Sequence, residues 1–304
     1  MRNEAVDYFT DGLVVGVGAG TKQLQQFLHC TKEYRTVGLL GSATTSYDCN
    51  EPVIRRAPYA HVSRDQMERL LPRFTGELQQ VPPLYSAVRI DGKRLFEYAR
   101  EGVPLPRPIE ARPVTVHELR LVNWQEGGKH PYRPPTAEVS EEEKALVGKV
   151  KELAGRASDA LDTSVPSTGG GEKPQLPQDT AEAADSADEP GPAAFTLEMT
   201  VSSGTYVRTL VHDLGTACGS AAHVVRLIRT RQGEFSLGHE PETEGDGVAI
   251  PGNCIPWAVF EQGLAELEQA RRGGEAGAGA TDTRDASGLR EWERALLKHI
   301  QPVS

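Results

Sequence analysis

Val201-Ser-Ser-Gly-Thr-Tyr-Val-Arg208 joins two different periodicities. Upstream, Phe195, Leu197, Met199 and Val201 alternate with polar residues, the pattern of a half-buried strand. Downstream, Thr209-Leu-Val-His-Asp-Leu-Gly215 runs at helical spacing, with Gly215 as the expected stop. A strand that ends where a helix begins can aim two side chains into one cleft, and here those residues are Tyr206 and Arg208. Taken alone, the same stretch also describes a tight turn carrying a surface arginine.

Working outward, the elements repeat this mixture. Leu13-Val-Val-Gly-Val-Gly18 predicts a short strand, and Thr21 is placed to cap a helix through Leu24, Phe27 and Leu28. A glycine loop opening a helix can hold phosphate, but Gly20-Thr21-Lys22-Gln23 reverses the Gly-Lys-Ser/Thr order of a P-loop, so no nucleotide cofactor is expected. Tyr34 to Leu40 alternates as a strand. Ser63-x-x-Gln66 is a capping box before the amphipathic run Met67, Leu70, Leu71 and Phe74, closed by Gly76. Pro82-Pro83 forces an extended entry into the Tyr85-Ser-Ala loop, and Gly92 precedes a short helix through Leu95, Phe96 and Ala99. Val114, Val116, Leu119 and Leu121 mark a strand whose period slips between the second and third of these residues. Strands separated both by helices and by turns predict an α+β fold around a mixed, largely antiparallel sheet flanked by helices.

The net charge of −10 is unevenly distributed over the 304 residues. Of 43 acidic and 33 basic residues, 14 and 7 fall in Gln125–Ala194, and 12 and 6 in His239–Ser304. The remaining body carries 17 acidic and 20 basic residues, a mild positive balance compatible with contacts to phosphate. Four domain segments follow: 1–124 and 195–238 as two parts of one body, 125–194 as an acidic insertion, and 239–304 as an acidic linker with a C-terminal helical extension. The second half of the insertion is rich in Pro, Gly, Ser, Asp and Ala and is expected to be disordered, after one helix running from Ser140 through Leu146, Val150 and Leu153. In the tail, Ile255–Leu267 is expected to dock back, and Leu289, Trp292, Leu296 and Ile300 form a last apolar stripe.

Cys30, Cys49, Cys218 and Cys254 have no paired spacing and read as reduced thiols of an intracellular protein. His212, Cys218 and His223 are neighbours in sequence, yet a metal needs three or four convergent ligands, so no metal is expected. The sequence contains no apolar run long enough for a membrane span.

Five ordered blocks carry a resemblance. They are Leu13-Val-Val-Gly-Val-Gly-Ala-Gly-Thr-Lys22; Lys32-Glu-Tyr34; Pro82-Pro-Leu-Tyr-Ser-Ala-Val-Arg-Ile-Asp-Gly92 with Tyr98-Ala-Arg100; Ser203-Gly-Thr-Tyr-Val-Arg-Thr-Leu210; and Ala222-His-Val-Val-Arg-Leu-Ile-Arg-Thr230. Together they resemble the TruB-type tRNA pseudouridine synthases, in a eukaryotic, fungal-like branch without a following RNA-binding module. The resemblance implies a pseudouridine-synthase-like fold and isomerisation of uridine 55 in the TΨC arm of tRNA. It also implies no cofactor and a monomer acting in the nucleus, cytoplasm or mitochondrion.

By the same resemblance, Tyr34 stacks on the target base and serves removal of the C5 proton, Tyr206 is a second active-site aromatic, and Arg208 ion-pairs with the nucleophilic aspartate. Lys22, Leu227 and Arg229 match substrate-binding positions. The chain departs from the family at its start, where neither the opening strand with its Asp-Lys-Pro-type motif nor the following Gly-Gly-Thr-Leu-Asp-Pro block, whose aspartate is the family's nucleophile, is present. An ungapped count puts the nucleophile position at Val6, which leaves the adjacent Asp7 as the substitute carboxylate and a catalytically inactive tRNA-binding remnant as the alternative function. Without that opening strand, the sheet is expected to present an unpaired apolar edge.

Overall fold

The structure, a computed structural model, describes residues 9–11, 13–140, 144, 191–238, 252–273 and 284–299. The chain divides into two compact units. One comprises Met1–Asp11 with His29–Arg229, and the other Gly12–Leu28 with Thr230–Ser304.

The first unit is built on a sheet whose strands are β1 (Phe9–Asp11), β2 (Lys32–Leu40), β5 (Gly76–Gln80), β8 (Arg112–Gln125), β9 (Ala194–Val201) and β10 (Ala222–Gln232). Their order is β1-β10-β2-β9-β8-β5. The β2–β9, β9–β8 and β8–β5 pairs are antiparallel and β1–β10 is parallel, so the sheet is mixed and largely antiparallel, as the sequence predicts. Two small hairpins accompany it, β3 (Ser42–Thr44) with β4 (Val53–Arg56) and β6 (Arg89–Ile90) with β7 (Lys93–Arg94).

β9 lies in the middle of the sheet, and its side chains explain why. Phe195, Leu197, Met199 and Val201 are buried on one face, while Ala194 and Thr196 are buried as well, so the first half of the strand is covered on both faces. The β8 register shifts between Val116 and Glu118, where the apolar period slips, and again between Leu121 and Asn123. Each extra residue restores the inward direction of the next apolar pair.

Of the helices, residues 26–28 of α1 (Gln26–His29) fall in the second unit, whereas α2 (Arg64–Leu70), α3 (Leu95–Glu101) and α4 (Val207–Ala217) lie in the first. Ser63 Oγ accepts the Gln66 N–H at 3.3 Å, the N-cap half of the predicted capping box, while Gln66 Nε2 donates to the Cys218 carbonyl at 3.2 Å, and α2 turns the fully buried Met67 inward. Helix α4 buries Val207, Leu210, Val211 and Leu214, an i, i+3, i+4, i+7 stripe, in the same core cluster as β9. Each such side chain contributes about 2 kcal/mol on burial.

The structure differs from expectation at several points. Leu13–Val17 forms no strand; Leu13, Val15 and Val17 are 79%, 69% and 84% exposed, and a 3-10 turn follows at Gly18–Gln23. In that turn Thr21 Oγ1 donates to the Gly18 carbonyl at 2.8 Å and so does not cap a helix. Apolar runs of this length do not distinguish a strand from any other segment, and here glycines at 16, 18 and 20 break it. The sheet edge expected to be bare is occupied by β1, with Phe9, Thr10 and Asp11 opposite Leu227, Ile228 and Arg229. Gly215 does not end α4 but lies inside it, because a Cβ there would come within 2.5 Å of the Ala222 Cβ. Its role is close approach to β10.

Residues 126–140, read from sequence as the start of the insertion, are packed into this unit. Val53 N–H donates to the Ala137 carbonyl at 2.8 Å, Val139 N–H donates to Val53 at 3.0 Å, and His130 and Val139 are buried. The expected insertion helix and disorder fall outside the described residues, apart from Ser140 and Lys144.

In the second unit, α5 (Trp257–Gly273) and α6 (Glu291–His299) pack together, with the Trp292 ring against Gly263. Phe27 and Phe235 meet at 5.3 Å between ring centroids, and β11 (Phe235–Ser236) pairs with the end of β10. Ile300, the last member of the expected stripe, lies outside the described residues.

Candidate active site

Arg208 occupies the first turn of α4, immediately after the strand-to-helix junction that Tyr206 caps with extended backbone. Three of the five N–H groups of its guanidinium are engaged. Nη1 donates to Asp48 Oδ2 at 2.5 Å and to the Ser46 carbonyl at 3.1 Å, and Nη2 donates to the Tyr85 carbonyl at 3.0 Å. The Asp48 and Arg208 side chains are only 9% and 22% exposed, so the pair sits in a largely desolvated setting. There an unmatched cation would be costly.

Asp48 is presented by a dense polar turn. Its N–H donates to Ser46 Oγ at 3.4 Å, its Oδ1 accepts the Asn50 N–H at 3.0 Å, and its carbonyl accepts from Thr44 Oγ1 at 2.7 Å. The turn is tied to β10, where Val224 N–H donates to the Tyr47 carbonyl and Cys49 N–H to the Val224 carbonyl, both at 2.9 Å. Tyr47 adopts φ 64°, a left-handed conformation unfavourable for a bulky residue. That backbone lets its ring stack on His212 at 4.0 Å and 16°, one helical turn beyond Arg208. Two adjacent turn residues thus dock on two residues four apart along α4.

Burial dominates the titration of the groups around this pair. Burial pushes the Tyr47 hydroxyl well above the ordinary phenol range, and Asp213 adds to the effect. The Cys49 thiol is raised by burial and then by the Asp48 carboxylate. His223, fully buried, has its pKa lowered by desolvation, with the Ser42 carbonyl and Asp48 opposing.

The remaining site residues are placed as follows. Tyr34 stands on β2 opposite Met199, half-buried against the core cluster that contains Val207 and Leu210. Leu227, on β10 opposite Phe9, packs on the same cluster. Tyr206 is half-buried and two residues from Arg208. Arg229 lies on β10 in register with Asp11. Lys22 belongs to the second unit, in the 3-10 turn Gly18–Gln23, and is exposed. Asp7 lies outside the described residues, and among the described residues the acid that meets the Arg208 guanidinium is Asp48, which no sequence motif singles out. Ser46-Tyr-Asp48-Cys-Asn50, with Ser and Asp each able to hold an N–H two residues on, is the local signal for the turn. Nothing in it names the arginine.

Residues 5–140 match the TruB family pseudouridylate synthase N-terminal domain. The chain is 36% identical over 270 residues to tRNA pseudouridine synthase 4 of Schizosaccharomyces pombe, covering 79% of this chain and 66% of that protein. It is 37% identical over 248 residues to tRNA pseudouridine synthase 4 of Saccharomyces cerevisiae, covering 74% and 58%. With Pseudouridylate synthase TRUB1 of Mus musculus the identity is 33% over 226 residues, covering 74% and 47%. The chain therefore spans between 47% and 66% of the length of these relatives. With its α+β sheet, its matched N-terminal domain and relatives of this kind, the chain belongs to the TruB family of pseudouridylate synthases.

Proposed function

We propose that the chain is a tRNA pseudouridine synthase that isomerises uridine 55 of the TΨC arm and works as a monomer. One observation carries the reading: in a chain whose yeast relatives are named tRNA pseudouridine synthase 4, an arginine at the start of α4 is held by a desolvated carboxylate.

The isomerisation breaks the bond from ribose C1′ to uracil N1, turns the base and joins C1′ to C5. The C5 proton is lost and N1 gains one, so the reaction is redox-neutral. The base must leave its stack to expose these atoms, and aromatic side chains replace the stacking it loses. Tyr34 and Tyr206 are those aromatics, Tyr34 also serving the C5 proton, while Leu227 packs on the base. Arg229 and Lys22 contact the RNA backbone, which positions the substrate without reading its sequence.

Arg208 aims the site's carboxylate, since its planar fork fixes the direction of the acid it pairs with. Asp48 is the acid in contact with it, and Asp7 is the acid nearest the family's nucleophile register.

The test is release of tritium from a TΨC stem-loop labelled at uridine C5, with pseudouridine mapped in the product. Single replacements Asp48→Asn and Asp7→Asn separate the two acids. Release at the target uridine is the expected result. Tight binding without release at excess enzyme would leave a tRNA-holding member of the family, and absence of binding would remove the tRNA reading altogether.

A further inference from the structure

Gln80 is the last residue of β5, opposite Arg112 of β8, and is 5% exposed. Its side-chain amide crosses to the strand-to-helix junction and holds both backbone polar groups of one residue, and so the two peptide units that flank it. The Tyr206 N–H donates to Gln80 Oε1 at 2.7 Å, and Gln80 Nε2 donates to the Tyr206 carbonyl at 3.1 Å. Because a backbone N–H can only donate and a carbonyl only accept, these contacts fix the orientation of the amide. Tyr206 precedes α4 with no side-chain cap of its own, so the remote glutamine satisfies an N–H that the helix leaves open.

The chain from Gln80 then returns to the same place. Pro82 and Pro83 stiffen the connection, and five residues beyond Gln80 the Tyr85 carbonyl accepts Arg208 Nη2 at 3.0 Å. One short strap is thus anchored at its start to Tyr206 and at its end to Arg208. A clasp that only filled a hydrogen-bonding vacancy would not need the second anchor on the guanidinium.

We infer that Gln80 is a positioning residue for pseudouridine formation. By holding the Tyr206 backbone on both sides of its Cα it sets the direction of the Tyr206 ring relative to Arg208. The inference rests on the proposed function and deepens it, since the reading needs Tyr206 to meet an extruded base.

The test compares wild type, Gln80→Ala and Gln80→Glu in single-turnover reactions on the stem-loop. Gln80→Ala lowers the rate on the order of 10- to 100-fold while stem-loop affinity stays near wild type, because a misdirected group costs rate before binding. Gln80→Glu keeps the acceptor for Tyr206 N–H but, when ionised, has no donor for the carbonyl. Its rate relative to wild type therefore rises as the pH is lowered and the carboxyl gains its proton. Amide hydrogen exchange supplies a readout that does not depend on activity: in Gln80→Ala the Tyr206 N–H exchanges faster while the interior amides of α4 stay protected. An active wild type whose Gln80→Ala and Gln80→Glu variants keep its rate overturns this inference alone. A wild type that forms no pseudouridine overturns the functional reading, and this inference with it.

Discussion

Asp48 Oδ2 lies 2.5 Å from Arg208 Nη1, a contact between residues 160 apart in sequence that closes the polar turn onto the first turn of α4. Asp48→Asn keeps the shape and removes the charge, which leaves a desolvated guanidinium short of its counter-ion. Stability in urea is expected to fall by about 3 kcal/mol. Pseudouridine formation is expected to drop on the order of 100-fold. Arg208→Lys keeps the charge but not the fork that reaches both Asp48 and the Tyr85 carbonyl, so it loses rate as well, with a smaller loss of stability.

Tyr47 holds its ring on His212 with a backbone φ of 64°, and the two effects can be separated. Tyr47→Ala loses the stack and keeps the strain, whereas Tyr47→Gly loses the stack and relieves the strain. The glycine variant is therefore expected to be the more stable of the two by about 1 kcal/mol, read from urea midpoints. In ordinary surface turns or helices the order would reverse.

His223 has its pKa lowered from 6.5 by burial, which sets the sign of a pH effect. Above 6.5 both folded and unfolded chains hold the imidazole neutral, and its burial costs nothing extra. As the pH falls below that value the unfolded chain takes up a proton that the folded one refuses, so stability declines until the folded state titrates too. Urea midpoints measured across this range should show the decline in wild type and a shallower one in His223→Gln. Equal slopes would show that another group dominates.

Gly215→Ala tests packing against propensity. Alanine in a helix interior is ordinarily better than glycine by about 1 kcal/mol. Here the new methyl would lie 2.5 Å from the Ala222 Cβ and 2.6 Å from its nitrogen, backbone and core that cannot easily withdraw. The variant is expected to melt earlier than wild type, with a cost of about 1–3 kcal/mol.

The fold was most legible where a pattern repeats locally. Phe195 to Val201 announces β9, Ser63 with Gln66 announces α2, and the slipped period from Val114 to Leu121 announces a real irregularity in β8. Glycine misled in two ways: at Gly215 it marks a tight helix–strand contact rather than a stop, and at Gly16 and Gly18 it interrupts an apolar run that never becomes a strand. Tyr206 and Arg208 could be placed at one junction because a change of period is a local signal. Asp48 could not be joined to them, since its contact depends on the packing of a turn, a strand and a helix that only the finished sheet brings together. Gln80 was hidden for the same reason, its partner being 126 residues away.

The two register shifts in β8 bear on which changes of length this strand can survive. Val114 and Val116 share one parity, Leu119 and Leu121 the other, and Trp124, which also packs on the core, returns to the first. Removal of His117 would merge the first two pairs into a single regular alternation, with the apolar side chains still on one face. Removal of Thr115 would instead turn Val114 outward relative to Val116. Single-residue insertions and deletions among descendants of this sequence should therefore gather at the two irregular points and be purged elsewhere along the strand.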